Sequence, residues 1–121
     1  MWSKRCRFLT VLHDTSANIL SRMRESIRSR EYLFTKHALT QTLRRRISNS
    51  EIEQAMLSHS EMIEFYPDDK YGPSALILGF TYSGRPLHVL CGHLDRTLLK
   101  IITAYEPDPE QWIDNRIRTK R

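Results

Sequence analysis

His88 stands in the segment Gly84-Arg85-Pro86-Leu87-His88-Val89, on the second of two apolar runs joined by Ser83-Gly84. That dipeptide is a short hairpin signal. With a loop of those two residues, Gly79 lies opposite His88, and a histidine facing a residue without a side chain has open space above it. The pairing makes Gly79 a pocket floor and His88 its titratable group, so Gly79→Val is expected to keep the strand and block the pocket. The plainer reading of His88 is a partly buried sheet residue with one satisfied hydrogen bond. A second group of donors is His37, Gln41 and Arg44, one stripe at i, i+4 and i+7, with Arg45 and Arg46 beside it. Such donors on one face suit a phosphate backbone. Their plainer reading is a solvated helix end, where basic residues are favoured by the helix dipole.

Other chemistries lack their residues. Cys91 and His93 could chelate from one strand face, but no His-Glu-x-x-His or paired Cys-x-x-Cys accompanies them. No metal site and no cofactor are therefore expected. There is no glycine-rich phosphate loop and no Gly-x-Ser-x-Gly elbow.

The 121 residues suffice for one core, with no run long enough to cross a bilayer. Phe8 to Leu12 is too short and broken for a secretory signal, so a cytoplasmic location and no membrane partner are expected. Cys6 and Cys91 make no disulfide framework. The net charge of +5 is uneven: residues 1–46 carry +8, residues 47–113 carry −6, and residues 114–121 carry +3. Two basic ends around an acidic middle suit a polyanion or an acidic partner.

The elements that must position these residues follow from periodicity. Residues 1–15 read as a loose amino-terminal extension, and 16–121 as a single α+β domain. Ile19, Met23 and Ile27 fall on one face of a helix from Ser16 to Ser29. Glu31 to Thr35 is a short strand or extended link. Thr35 caps a helix from Lys36 to about Arg46 that buries Leu39, Leu43 and Ile47. Ser48-Asn-Ser-Glu51 has the form of a capping box and opens a third helix to about His59, burying Ile52 and Met56. Glu61 to Tyr66 alternates with Ile63 and Phe65 on one side. Ser74 to Tyr82, Arg85 to His93 and Thr97 to Tyr105 read as an antiparallel meander. Pro109 opens a short last helix through Trp112 and Ile117. Helices are thus expected on one face of a small, mainly antiparallel sheet of four to five strands. Leu78, Phe80, Leu87, Val89 and Ile102 are expected to face them, with Gly79, Thr81, His88, Thr103 and Tyr105 on the other face.

Several segments carry a resemblance as a set. They are Phe34-Thr35-Lys36-His37-Ala38, Ile47-Ser48, Ile63-Glu64-Phe65-Tyr66-Pro67-Asp68-Asp69, Gly72-Pro73-Ser74, Leu78-Gly79-Phe80, Gly84-Arg85-Pro86-Leu87-His88-Val89 and Tyr105-Glu106-Pro107-Asp108. From about Glu31 to Trp112 the chain resembles a bacterial and archaeal family catalogued as a domain of unknown function, distantly similar to the RelE, BrnT and MqsR toxins. The resemblance implies a metal-independent endoribonuclease of a type II toxin-antitoxin system. Its partners would be RNA, including ribosome-bound mRNA, and a cognate antitoxin such as a zinc-finger helix-turn-helix protein.

Metal-free RNA cleavage needs a base for the ribose 2′-hydroxyl, a cation for the charged phosphorane and an acid for the leaving 5′-oxygen. On this reading His88 is base or acid with His37 as its counterpart. Arg85, Arg44 and Arg45 hold phosphate, and Tyr66 or Tyr105 stacks a base. The competing expectation is a non-enzymatic module that binds nucleic acid or protein through the same basic helices.

Overall fold

The computed structural model describes residues 16–119, so the expected amino-terminal extension lies outside the described residues. The elements run α1 (Ser16–Arg28), β1 (Tyr32–Phe34), α2 (Lys36–Arg44), α3 (Asn49–Leu57), β2 (Glu61–Tyr66), β3 (Ser74–Phe80), β4 (Pro86–Gly92) and β5 (Leu99–Tyr105). A two-strand hairpin, β6 (Trp112–Ile113) and β7 (Ile117–Arg118), follows. The five-stranded sheet has the order β1-β5-β4-β3-β2. All its neighbours are antiparallel except β1 and β5, which run parallel. This is an α+β fold, and the expected meander of β3, β4 and β5 is present.

Local signals placed the helices. Ile19, Met23 and Ile27 of α1 are buried against the core, as are Ile52 and Met56 of α3. The Thr35 hydroxyl accepts from the Ala38 N–H at 3.0 Å. Ser48 and Glu51 close a capping box, with both bonds at 3.0 Å. Of the stripe expected on α2, Ile47 is buried but the two leucines are not. Leu39 and Leu43 are 54% and 82% exposed, while Ala38 and Thr42 are buried. The rotation follows from how α2 is tied along β5. Thr35 bonds the Ile101 and Ile102 carbonyls at one end, and Arg45 donates to the Ala104 carbonyl at the other. That alignment turns the small residues inward.

The β3–β4 hairpin departs from expectation by one residue. The turn is Tyr82-Ser83-Gly84, with Gly84 left-handed at φ 89. The Gly84 N–H donates to Thr81 O at 2.9 Å, and the Thr81 N–H donates to Arg85 O at 3.0 Å. This is a type I turn closed by a glycine bulge. Leu78 therefore opposes His88, and Gly79 opposes Leu87. A one-residue slip sends every side chain of a strand to the other face. Ala75 and Ile77 join the helix-side core, whereas Leu78 and Phe80 share the far face with His88.

Gly79 is consequently not a pocket floor. A Cβ there would lie 2.0 Å from the Ala55 carbonyl oxygen of α3. Its missing side chain lets helix and strand touch, and Gly79→Val cannot leave the fold intact. Ile102 also leaves the helix side, as the extra residue of a bulge between the Leu90–Thr103 and Cys91–Ile101 pairs. Leu87 and Val89 do face the helices, within the buried core cluster. The last expected helix is a hairpin instead, for reasons that belong to the site.

Candidate functional site

The sheet face away from the helices carries a polar cluster on its central strands. β4 presents His88 and β5 presents Tyr105 directly opposite. On β2, Phe65 packs against the core, so its neighbours Glu64 and Tyr66 point to the far side. The tight alternation of a strand thus lines up a carboxylate, two phenols and an imidazole.

The β6–β7 hairpin covers this cluster. Pro107 and Pro109 cannot donate to a ladder, so β5 ends at Tyr105. The chain then turns at Asp108, whose carbonyl accepts the N–H groups of Gln111 (2.8 Å) and Trp112 (3.0 Å). The hairpin turn holds Asp114 and Asn115 in left-handed conformations, φ 53 and 62, which these two residue types tolerate. Trp112 is buried and packs edge-on against His88, with ring centroids 4.4 Å apart. The Arg118 guanidinium lies 4.6 Å over the Trp112 ring and grips Glu64 with two bonds of 2.8 and 3.2 Å. Arg116 does the same to Glu61, at 2.9 and 3.0 Å. These contacts select a hairpin over the short helix that Pro109 suggested.

His88 is fully buried. Its Nε2 lies 2.6 Å from the Asn115 carbonyl, which can only accept, so Nε2 carries the proton. Nδ1 is then the acceptor for the Tyr105 hydroxyl at 3.3 Å. Burial pushes the His88 pKa below the usual histidine value, partly opposed by the Asn115 carbonyl, and the ring is neutral. Burial also raises Tyr105 above the usual phenol value. Tyr66 is raised by burial and by its hydrogen bond to Glu64. Both phenols keep their protons at neutral pH. Glu64, followed by Tyr66, raises the Arg118 guanidinium further.

A cleft of about 460 Å³ adjoins the cluster and shares Tyr105 with it, lined by Arg45, Arg85, Tyr105 and Glu106. The Arg45 guanidinium lies 5.8 Å from the Tyr105 ring centre. Arg85 bonds Glu106 and Glu51 and also donates to the Arg45 and Arg46 carbonyls, at 3.1 and 3.0 Å, where α2 ends. Its first task is to cap that helix end.

The residues singled out by type thus separate. Tyr66, His88 and Tyr105 come together, and Arg45 and Arg85 border them. His37 and Arg44 are exposed on α2, which packs on the helix side of the sheet, away from the buried His88 ring. Gly79 points at α3. Reasoning by residue type overlooked Glu64, Arg118, Trp112 and Glu106. Two signals were there: the alternation of β2 already set Glu64 and Tyr66 opposite Phe65, although a bulge at Ile63 puts Met62 rather than Ile63 beside Phe65 on the core side, and the tail is basic. Cys91 is buried in the core and burial raises its thiol pKa, which keeps it protonated.

A protein-family model, described as Domain of unknown function (DUF4258), matches residues 34–106. No curated protein and no solved structure matches the chain.

Proposed function

The chain belongs to the DUF4258 family of domains of unknown function, and from its far-face cluster we propose a toxin-like endoribonuclease whose own side chains do the chemistry without a metal. One observation carries this reading: Glu64, Tyr66, Tyr105 and Arg118 meet around His88 on a single sheet face. In the proposed reaction Glu64 accepts the 2′-hydroxyl proton as that oxygen attacks the phosphorus. Arg118 steadies the phosphorane, and Tyr66 or Tyr105 protonates the leaving 5′-oxygen. His88 holds the Tyr105 hydroxyl in place rather than meeting the substrate. RNA, including ribosome-bound mRNA, is the proposed substrate, and a cytoplasmic antitoxin the proposed silencing partner.

The test is cleavage of single-stranded RNA, free and on ribosomes, in the presence of a chelator. Glu64→Gln and Arg118→Ala should each slow cleavage about a hundredfold to ten-thousandfold, with circular dichroism confirming the fold. Wild-type rates in Glu64→Gln would refute the assignment. A second reading, a non-enzymatic binding module, is favoured by the burial of His88 with both nitrogens bonded. It predicts RNA or protein affinity without any cleavage.

A further inference from the structure

We propose that the cleft between Arg45, Arg85, Tyr105 and Glu106 is a guanine-recognition subsite for single-stranded RNA, an inference that rests on the RNA-cleaving reading above. Its volume of about 460 Å³ lies in the range of small-ligand pockets, about 300–1,000 Å³. One wall is the ring of Tyr105, whose hydroxyl points to the neighbouring His88. A base in the cleft would therefore sit beside the phosphate that the proposed reaction places at Arg118, whose charge acts on Tyr105.

The polar groups choose the base. Glu106 is half exposed, and Arg85 Nε–H bonds only its Oε2. A carboxylate offers about four lone-pair positions. Oε1 has no partner among the described residues, so Glu106 can still accept two N–H donors while Arg85 keeps the group in place. Arg45 uses one Nη1–H on the Ala104 carbonyl and has further donors available. The cleft thus pairs two acceptors with a flanking donor.

Guanine alone presents the complement on its Watson–Crick edge: two adjacent donors, N1–H and the N2 amino group, followed by the O6 acceptor. Adenine and cytosine each set a ring nitrogen acceptor beside a single amino group, which would face the carboxylate with a lone pair. Uracil has one N–H between two carbonyls. Reading of splayed bases on these edges is how single-stranded RNA is distinguished.

The experiment is equilibrium binding, by fluorescence anisotropy, of deoxy trinucleotides that cannot undergo 2′-hydroxyl cleavage. They carry guanine, hypoxanthine, 2-aminopurine, adenine, cytosine or thymine between two thymines. Wild-type protein should bind the guanine probe at least about fivefold more tightly than the others. Hypoxanthine, lacking only the N2 amino group, tests Glu106 by itself, and 2-aminopurine, lacking both O6 and the N1–H, tests Arg45 and Glu106 together. Glu106→Gln should erase the guanine-over-adenine preference. Should that variant melt early, Arg45→Gln leaves the Arg85–Glu106 pair intact and should narrow the guanine-over-2-aminopurine preference to the part that Glu106 supplies through N1–H. Equal binding of all probes by the wild type, or a guanine preference unchanged in both variants, would overturn the subsite. A guanine preference without cleavage of any RNA upholds the subsite and removes the nuclease reading. Cleavage that depends on Glu64 with no base preference does the reverse.

Discussion

Replacing Gly79 by alanine adds one methyl group at the place where β3 touches α3. That carbon would sit 2.0 Å from the Ala55 carbonyl oxygen, 2.5 Å from its carbonyl carbon and 2.9 Å from its Cα. Ordinary contact begins at 3.4 Å, so the shortest distance must open by 1.4 Å. All three neighbours are backbone, and no rotamer change relieves them. The helix itself has to retreat. It carries Ile52, Ala55 and Met56, each with no measurable exposure, so their contacts with the sheet would loosen together. A gap of half to one ångström already forfeits about a quarter to a half of a contact's attraction.

Overpacking typically costs about 1–3 kcal/mol, and a backbone obstacle belongs at the upper end. A loss of about 3 kcal/mol is a large share of a domain stability of about 5–15 kcal/mol. The melting temperature should fall by roughly 10 °C, and Gly79→Val should fall further or fail to fold. Thermal and urea unfolding followed by circular dichroism measure both. A Gly79→Ala protein melting within about 2 °C of wild type would show that the helix–strand contact does not need glycine.

Three other outcomes follow from the same contacts. Burial depresses His88 and, together with Arg96 and Lys100, His93, so the unfolded state binds more protons below the ordinary histidine pKa. Stability measured by urea titration should be flat above about pH 7 and decline as pH falls below about 6.5; His88→Gln should reduce that slope. Arg85→Lys should destabilise the fold by about 1–3 kcal/mol in the same assay, because an ammonium cannot span two carboxylates and the two carbonyls at the end of α2; an unchanged midpoint would count against the capping role. RNA affinity should drop steeply with added salt through counterion release, and Arg44→Ala with Arg45→Ala should flatten the dependence; a salt-independent affinity would exclude a phosphate-led interface.

Local interactions were legible in the residues because they close within a few positions. Thr35 with Ala38 and Ser48 with Glu51 need only three residues of spacing, and the Ile19, Met23 and Ile27 face needs only the helical repeat. The alternation through β3, β4 and β5 likewise predicts strands wherever one face must be buried. His88 on the face opposite Leu87 and Val89 follows from that period alone.

Tertiary structure decided everything that depends on what lies across from a residue. Ser83-Gly84 is compatible with a two-residue and a three-residue loop. The longer one puts Gly79 under Ala55, where the absence of a Cβ satisfies a helix rather than a ligand. The bulge at Ile102, the parallel pairing of β1 with β5 and the outward turn of Leu39 and Leu43 all arise from contacts between distant segments. The carboxyl-terminal hairpin is the plainest case. Within residues 109–119 the helix signal of Pro109 competes with the turn-forming Asp114 and Asn115. The contacts that decide between them, Trp112 on His88, Asn115 bonded to His88, Arg116 on Glu61 and Arg118 on Glu64, all require the finished sheet. The same four contacts assemble the candidate site, because a side chain's partners are set by the surface it folds against and not by its neighbours in the chain.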